Sequence, residues 1–514
     1  MTTKNGKTGN GAANGRLFST QSSLDSYVWG ICNILRRSNC AGALQYVPEL
    51  TWILFLRILD DNETLEAERA EAVGASFTPS LESPYRWQDW AAPSGWKRHE
   101  LAYGALGAFF GFVNGELLPY LKGLRNRPNA TSRQKVISEI LSGVEHVRVD
   151  TEKNFLDVLD KVHEIRRENI DTTHIFALSQ VYEGLLLKMG EKGNDGGQFF
   201  TPRQVIRVMV RAVNPQVGQT VYDPGCGTGG FLAQAYEYMS AALGETSTPD
   251  QIEVLKTRTF YGREKDNIAY PIGLANLVLH GIDEPHLWHG NTLSGQETFG
   301  GLFQGASTLF DVVLTNQPFG GKEGKEAQTR FAYKTGATQV LFLQHVIDSI
   351  RPGGACGIVL DEGVLFRNNE TAFVQTKRKL LDDCDVWAIV SLPGGVFTAA
   401  GAGVKTNLIF FTKGKPTERI WYYDLSDIKV GKKTPLTADR FDDFFVLLPT
   451  RTDSPRSWTV TREEIEARNY DLKAVNPNAK VEEDLRTPEE LLDIIEVKGK
   501  EVQDALARLR KKTE

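Results

Sequence analysis

No two cysteines form a CxxC pair anywhere in the 514 residues; the five present, Cys32, Cys40, Cys226, Cys356 and Cys384, are scattered. That spacing argues against a zinc site and against a disulfide framework, and it fits a reducing cytoplasm. No apolar run reaches the ~18 residues that a membrane span needs. The best stretch, 50–59, is short and is broken by Arg57. The first 22 residues lack the apolar core of a secretory signal; rich in Gly, Asn, Ser and Thr, they read as disordered. A basic surplus is missing too. Net charge is −6, whereas a protein that grips nucleic acid alone usually carries a positive excess. Any such contact here is a local patch or is supplied by a partner. The eight histidines show no metal-ligand spacing, and His345 reads as a helix-face residue. There is no Gly-x4-Gly-Lys-Ser/Thr phosphate loop, no nuclease-like carboxylate–lysine cluster and no repeat array.

What is present is ordinary soluble composition, 41% hydrophobic and 24% charged, over a length that exceeds one domain. Residues 23–168 read as a helical N-terminal domain: Leu24, Val28, Ile31 and Leu35 recur at helical spacing. Residues 169–480 read as the catalytic domain. In its core, TVYDPGC, RTFYGRE, FDVVLTN, ACGIVLDEG, DVWAIVSLP and TNLIFFTK are strands, while FLAQAYEYMSAAL and TQVLFLQHVIDSI are helices. Strands alternating with helices predict an α/β fold with a parallel sheet, and ligands in such folds sit at the carboxyl ends of the strands. Asp223, Glu264 and Asn316 all lie at such ends. Residues 481–514 read as a C-terminal helix. Thr487-Pro488-Glu489-Glu490 is a capping box with proline at the first helical position. Leu491, Ile495, Val502, Leu506 and Leu509 then line one face, to fold back on the chain or to pair with a partner's helix.

Asp223-Pro224-Gly225-Cys226-Gly227-Thr228-Gly229-Gly230 follows a strand and opens a helix. Gly225, Gly227 and Gly230 satisfy the GxGxxG of dinucleotide sites. Asp223 discriminates: a carboxylate at the strand tip repels a pyrophosphate and welcomes a cationic ligand with an α-amino group, such as S-adenosylmethionine. The glycines permit close backbone approach. Glu264, at the tip of the next strand, suits two ribose hydroxyls. The gap between the two acids is longer than in a compact unit, and the polar insertion GETSTPDQ accounts for it. Asn291, after the third strand, is placed to read the adenine edge of the cofactor. Glycine turns and strand-end acids are common singly; their order and shared location are not.

Asn316-Gln317-Pro318-Phe319 ends an apolar strand. The exocyclic amine of adenine is a poor nucleophile because its lone pair is delocalised. Two acceptors at its hydrogens pull it toward tetrahedral geometry, and an Asn side-chain oxygen with a neighbouring main-chain carbonyl can do this without being methylated themselves. Asn316 is the side-chain acceptor, the Gln317 carbonyl the second, Pro318 fixes the loop, and Phe319 stacks on the extruded base. The loop 320–325, with Lys322 and Lys325, is placed as a mobile segment to meet phosphates. Read blandly, the corner is a turn and Phe319 is core.

In this order, these motifs resemble the N6-adenine DNA methyltransferases. The match extends to Ala275–Gly281 (ANLVLHG), to RPGGACGIVLDEGVLF, to GAGVKTNLIFF and to RNYDLKAVNP. With the helical N-terminal domain and the helical tail, the whole chain resembles the modification (M) subunit of type I restriction–modification systems. The resemblance implies a Rossmann-like S-adenosylmethionine-dependent methyltransferase domain. It implies that Gln198, Phe199, Phe200, Thr201 and Pro202 cap the methionine end of the cofactor, with Thr228 and Gly229 in the cofactor loop. Its implied partners are double-stranded DNA, a specificity (S) subunit, a second M subunit and a restriction (R) subunit. Sequence reading delegated to the S subunit agrees with the acidic net charge. Two departures stand out: Gln317 occupies a position where the family has proline, and VLDEG replaces Val-Leu-Pro-Asp-Gly. Glutamine keeps the main-chain acceptor and loses ring rigidity. Two rival readings follow: a protein glutamine or small-molecule amine methyltransferase, which shares the corner in shorter chains, and a cofactor-binding scaffold weakened by Gln317.

Overall fold

The computed structural model describes residues 21–165, 201–397 and 404–510, apart from 245–246, 304, 432–433, 474 and 479–486. The first 20 residues, and with them most of the segment read as disordered, lie outside that set, as do Gln198, Phe199 and Phe200.

Ten strands form one sheet: β1 Val221–Asp223, β2 Phe260–Glu264, β3 His286–Gly290, β4 Glu297–Phe299, β5 Phe310–Asn316, β6 Ile350–Asp361, β7 Cys384–Ser391, β8 Thr406–Lys413, β9 Arg419–Asp424 and β10 Ser457–Thr461. Their spatial order is β10-β9-β7-β8-β6-β5-β1-β2-β3-β4. The centre, from β6 through β5, β1 and β2 to β3, is parallel, as alternating strands and helices require. The whole is mixed, which corrects the expectation of a parallel sheet. β8 inserts antiparallel between β6 and β7, and β4 and β10 run antiparallel at the two edges. Periodicity alone cannot distinguish these directions, since TNLIFFTK is apolar on both faces like its parallel neighbours.

Side chains alternate between two buried faces along the strands. Val312 and Leu314 enter one apolar cluster and Val313 the other, as do Val359 and Ile358 on β6. From β1 the chain moves to β2 on one side and later returns to β5 on the other. That reversal opens a crevice at the carboxyl end of β1. The polar stretch GETSTPDQ is only partly a loop. Thr248 caps a helix, Pro249–Thr257, by accepting from Gln251 N–H.

The helical block does not stand apart. Helices Gln21–Arg37, Ala43–Ala72, Ser132–Leu141 and Glu152–His163 share one continuous buried cluster with one face of the sheet. Arg133 also reaches Asp283 at 3.5 Å, and the Arg125 guanidinium lies 5.1 Å from the Phe299 ring centre. At the far end, Thr487 and Glu490 form the reciprocal cap of the Pro488–Arg510 helix, with bonds of 2.8 and 3.2 Å. Ile495, Val502 and Leu506 of its stripe are exposed among the described residues. Among the described residues no helix is long and apolar enough to cross a membrane.

Candidate active site

The crevice at β1 is built by a strand that stops and a helix that starts. Between β1 and the Gly230–Ala242 helix the chain reverses within a few residues, with φ of +52° at Gly227 and +79° at Gly229. Side chains strain in that region, and glycine does not. Asp223 is buried at the strand tip. Its Oδ1 accepts from Gly225 N–H at 3.1 Å and from the Thr315 hydroxyl at 2.7 Å. Burial pushes its carboxyl up to about 7, with the Glu264 charge adding to the rise and the two donors opposing it.

Glu264 takes a larger structural share than its expected ribose role suggests. Oε2 accepts from Gly227 N–H at 2.8 Å, and Oε1 from the N–H groups of Lys265 and Asp266 at 2.9 and 2.8 Å. Of the ~4 acceptor positions a carboxylate offers, three are therefore engaged. It ties β2 to the glycine loop and keeps capacity for one ligand hydroxyl, not two. Burial raises its carboxyl as well, against those three donors.

Behind the loop stands the Ala269–Leu279 helix. Asn276 Nδ2 donates to the Thr228 carbonyl at 2.9 Å, and one turn earlier a Cβ on Gly273 would meet the Gly227 carbonyl at 2.8 Å. Gly273 thus permits the helix to lie against the loop, and Asn276 fastens it there. Asp266 Oδ1 receives Ile268 and Ala269 N–H, both at 2.8 Å, and so starts that helix.

The second wall is the corner after β5. Asn316 Nδ2 donates to Thr201 Oγ1 at 2.9 Å, while its Oδ1 is buried without a hydrogen-bond partner among the described residues. Pro202 caps the Arg203–Val213 helix, which packs on the same sheet face. Phe319 sits edge-on to Phe397, ring centres 5.4 Å apart at 82°, so here it is part of the packing behind the corner. The loop after it is pinned: Lys322 bridges to Ala337, Glu323 N–H donates to the Gly336 carbonyl at 2.9 Å, and Thr338 Oγ1 donates to Glu323 Oε1 at 3.1 Å. Lys322 and Lys325 are exposed.

Both walls enclose one cavity of about 350 Å3, a size suited to a small ligand. Of the residues predicted for the cofactor, Asp223, Gly225, Gly227, Thr228, Gly230, Glu264, Asn291 and Thr201 line it; Gly229 shapes the turn from outside the wall. From the corner, Asn316, Gln317 and Pro318 line it and Phe319 does not. Asn291 also has a structural task. Its Oδ1 accepts from Leu293 and Ser294 N–H at 2.9 and 3.3 Å and so holds a turn. Sequence reasoning missed Arg263, Asp266, Thr292, Glu323 and Phe342, which also line the cavity. Phe342 lies within ordinary contact of the space beside Gly225; in the sequence it is one apolar residue of a helix and carries no distinguishing signal. Thr292 donates to the Pro224 carbonyl at 2.6 Å.

Comparison with known proteins places this arrangement. Residues 173–485 match the family described as N-6 DNA Methylase, and residues 24–131 match the HsdM N-terminal domain. The chain belongs to the N-6 DNA methylase family. It is 31% identical to the EcoEI methylase subunit, a type I restriction enzyme subunit of Escherichia coli, over 95% of this chain and 97% of the relative. A chain from a solved type I R-M system, from work on complex assembly and conformational transition, is 36% identical with a TM-score of 0.72, covering 95% of this chain and 98% of its own. A modification subunit attributed to a type I restriction enzyme of Vibrio vulnificus YJ016 is 32% identical with a TM-score of 0.77, over 90% and 98%. The N-6 DNA methylase match contains every residue of the cavity wall.

Proposed function

We propose that this cavity transfers a methyl group to the N6 amine of an adenine turned out of double-stranded DNA. The observation that carries the reading is Asn316 Oδ1. It is a buried acceptor with no partner among the described residues, held in orientation by Thr201, in the same cavity as the carboxylates of Asp223 and Glu264. S-adenosylmethionine, when bound, supplies an electrophilic methyl group. Asp223 would hold its α-amino end and Glu264 would offer one acceptor to a hydroxyl, with Gly225 and Phe342 in the same cavity wall. Asn316 Oδ1 and the Gln317 carbonyl accept the two hydrogens of the target amine, which localises its lone pair for attack. Two fixed acceptors in a water-poor site stabilise charge where it develops, without reorganisation. A main-chain carbonyl is present whichever residue stands at 317, so glutamine is compatible with turnover.

The chain acts as the modification subunit of a type I assembly, in the cytoplasm; its five cysteines are all buried. The exposed stripe of the C-terminal helix meets helices of a specificity subunit, which reads the DNA sequence. A second copy of this chain completes the clasp, and a restriction subunit supplies cleavage. Lys322 and Lys325 face the backbone phosphates. The test is transfer of labelled methyl from S-adenosylmethionine by this chain co-expressed with its specificity subunit, beside Asn316→Ala. N6-methyladenine in the DNA that disappears in the variant is the expected result. Label in protein instead would turn the reading to a glutamine or amine acceptor. Bound cofactor without any turnover would leave a scaffold.

A further inference from the structure

The chemistry above uses the main-chain carbonyl of Gln317 and gives its side chain no task. Residue 317 is 1% exposed and belongs to the cavity wall between Asn316 and Pro318, with its side-chain amide buried just behind that wall. Among the described residues neither Oε1 nor Nε2 has a hydrogen-bond partner. An amide buried with both ends unpaired opposes folding, and native proteins keep few such groups. Asn407 and Ser391, opposite one another on β8 and β7, also lack partners, but neither lines the cavity. Gln317 is thus distinguished by where it stands: one residue from the acceptor that faces the target amine.

The corner otherwise offers a base only acceptors, Asn316 Oδ1 and the Gln317 carbonyl. An aminopurine carries ring nitrogens flanking its amine, and these accept hydrogen bonds. A side-chain amide beside the amine complements that edge, as glutamine and asparagine do when they read adenine in duplex DNA. We infer that the Gln317 side chain is a specificity-determining contact to the target base, its Nε2 donating to a ring nitrogen of the adenine whose amine faces Asn316. This rests on the adenine reading. It assigns the unpaired amide a partner that arrives with the substrate, so the group that is unfavourable in the free protein becomes satisfied when the base enters.

Gln317→Leu tests it, because leucine keeps the volume and the main-chain carbonyl while removing donor and acceptor. Replacing an unpaired buried amide by an apolar group is neutral or stabilising, so the variant folds with a Tm equal to or above that of the original chain. The assay uses the full chain in complex with its specificity subunit, on a duplex bearing the site it methylates. Target adenine is replaced in turn by 7-deazaadenine and by 1-deazaadenine. Gln317→Leu is expected to raise KM for DNA roughly tenfold, with kcat changed less and cofactor affinity unchanged. The original chain is expected to lose roughly tenfold in kcat/KM on one of the two analogues, and Gln317→Leu to lose nothing further on that analogue. If both chains treat adenine and the two analogues in the same proportions, the assignment is overturned while the methyltransferase reading stands. If the Gln317→Leu defect is confined to cofactor binding or follows a lowered Tm, the assignment is likewise overturned. If the original complex transfers no methyl group to DNA, the reading and the assignment fall together.

Discussion

Thr201 and Asn316, 115 positions apart in sequence, are joined by one hydrogen bond of 2.9 Å from Asn316 Nδ2 to Thr201 Oγ1. The bond anchors the amide to the segment before the Arg203–Val213 helix. It holds Nδ2 against the protein and leaves Oδ1 as the acceptor. Without it the amide can rotate, and an amine of the substrate can meet another amine.

From this we expect Thr201→Val to lower kcat by roughly 10- to 100-fold, the scale of a misplaced catalytic group, with cofactor affinity altered far less. Thr201→Ser restores the hydroxyl and should restore most of kcat. Equal losses in kcat and in cofactor affinity for Thr201→Val would assign Thr201 to cofactor binding.

Asp223 leads to a dependence on pH. Its carboxyl stands at about 7 in the folded chain, against ~3.9 unfolded. Below about pH 4 both states are protonated and the burial is harmless. Between about 4 and 7 the unfolded chain releases this proton and the folded chain does not, so folding stability declines through that window and no further above it. A cationic ligand needs the ionised form. The rise in Tm produced by S-adenosylmethionine should therefore grow from pH 6 to pH 8. In Asp223→Asn the ligand effect should be weak and flat with pH; a slope matching the original chain would point to another group.

The contact between Gly273 and the Gly227 carbonyl can be tested by adding one methyl group. In Gly273→Ala the new Cβ would lie 2.8 Å from that oxygen, so helix and loop must separate at a strain of ~1–3 kcal/mol. Cofactor Kd should rise by tenfold or more, with the helical content by circular dichroism unchanged. Unaltered cofactor affinity would mean that the loop tolerates the shift.

Ile495→Glu and Val502→Glu address the C-terminal helix. Both side chains are exposed in the chain itself, so neither change should move its Tm by more than a degree or two, as for surface substitutions generally. Each should abolish co-purification with the specificity subunit, read by size exclusion with light scattering. Intact assembly in both variants would place the partner on another surface.

The strands that carry chemistry were legible because their tips change composition abruptly. Asp223 and Asn316 close apolar strands, and only a ligand or a turn accounts for a polar residue there. The antiparallel entry of β8 was not legible, since strand direction depends on which distant segment pairs and not on local pattern. Phe342 was hidden for the opposite reason: cavity wall and core ask for the same apolar side chain. Glu264 and Asn291 line the cavity and also hold backbone N–H groups, a structural task the pattern did not reveal, since a carboxylate or amide near free N–H groups bonds them first.

The Ala269–Leu279 helix has two neighbours at once. One side holds the glycine loop through Gly273 and Asn276; the other packs against the Ala43–Ala72 and Ser132–Leu141 helices of the N-terminal block. A displacement of that block therefore reaches the glycine loop through a single helix. The N-terminal helices and the glycine loop thus share one support, and neither can shift without meeting the same helix.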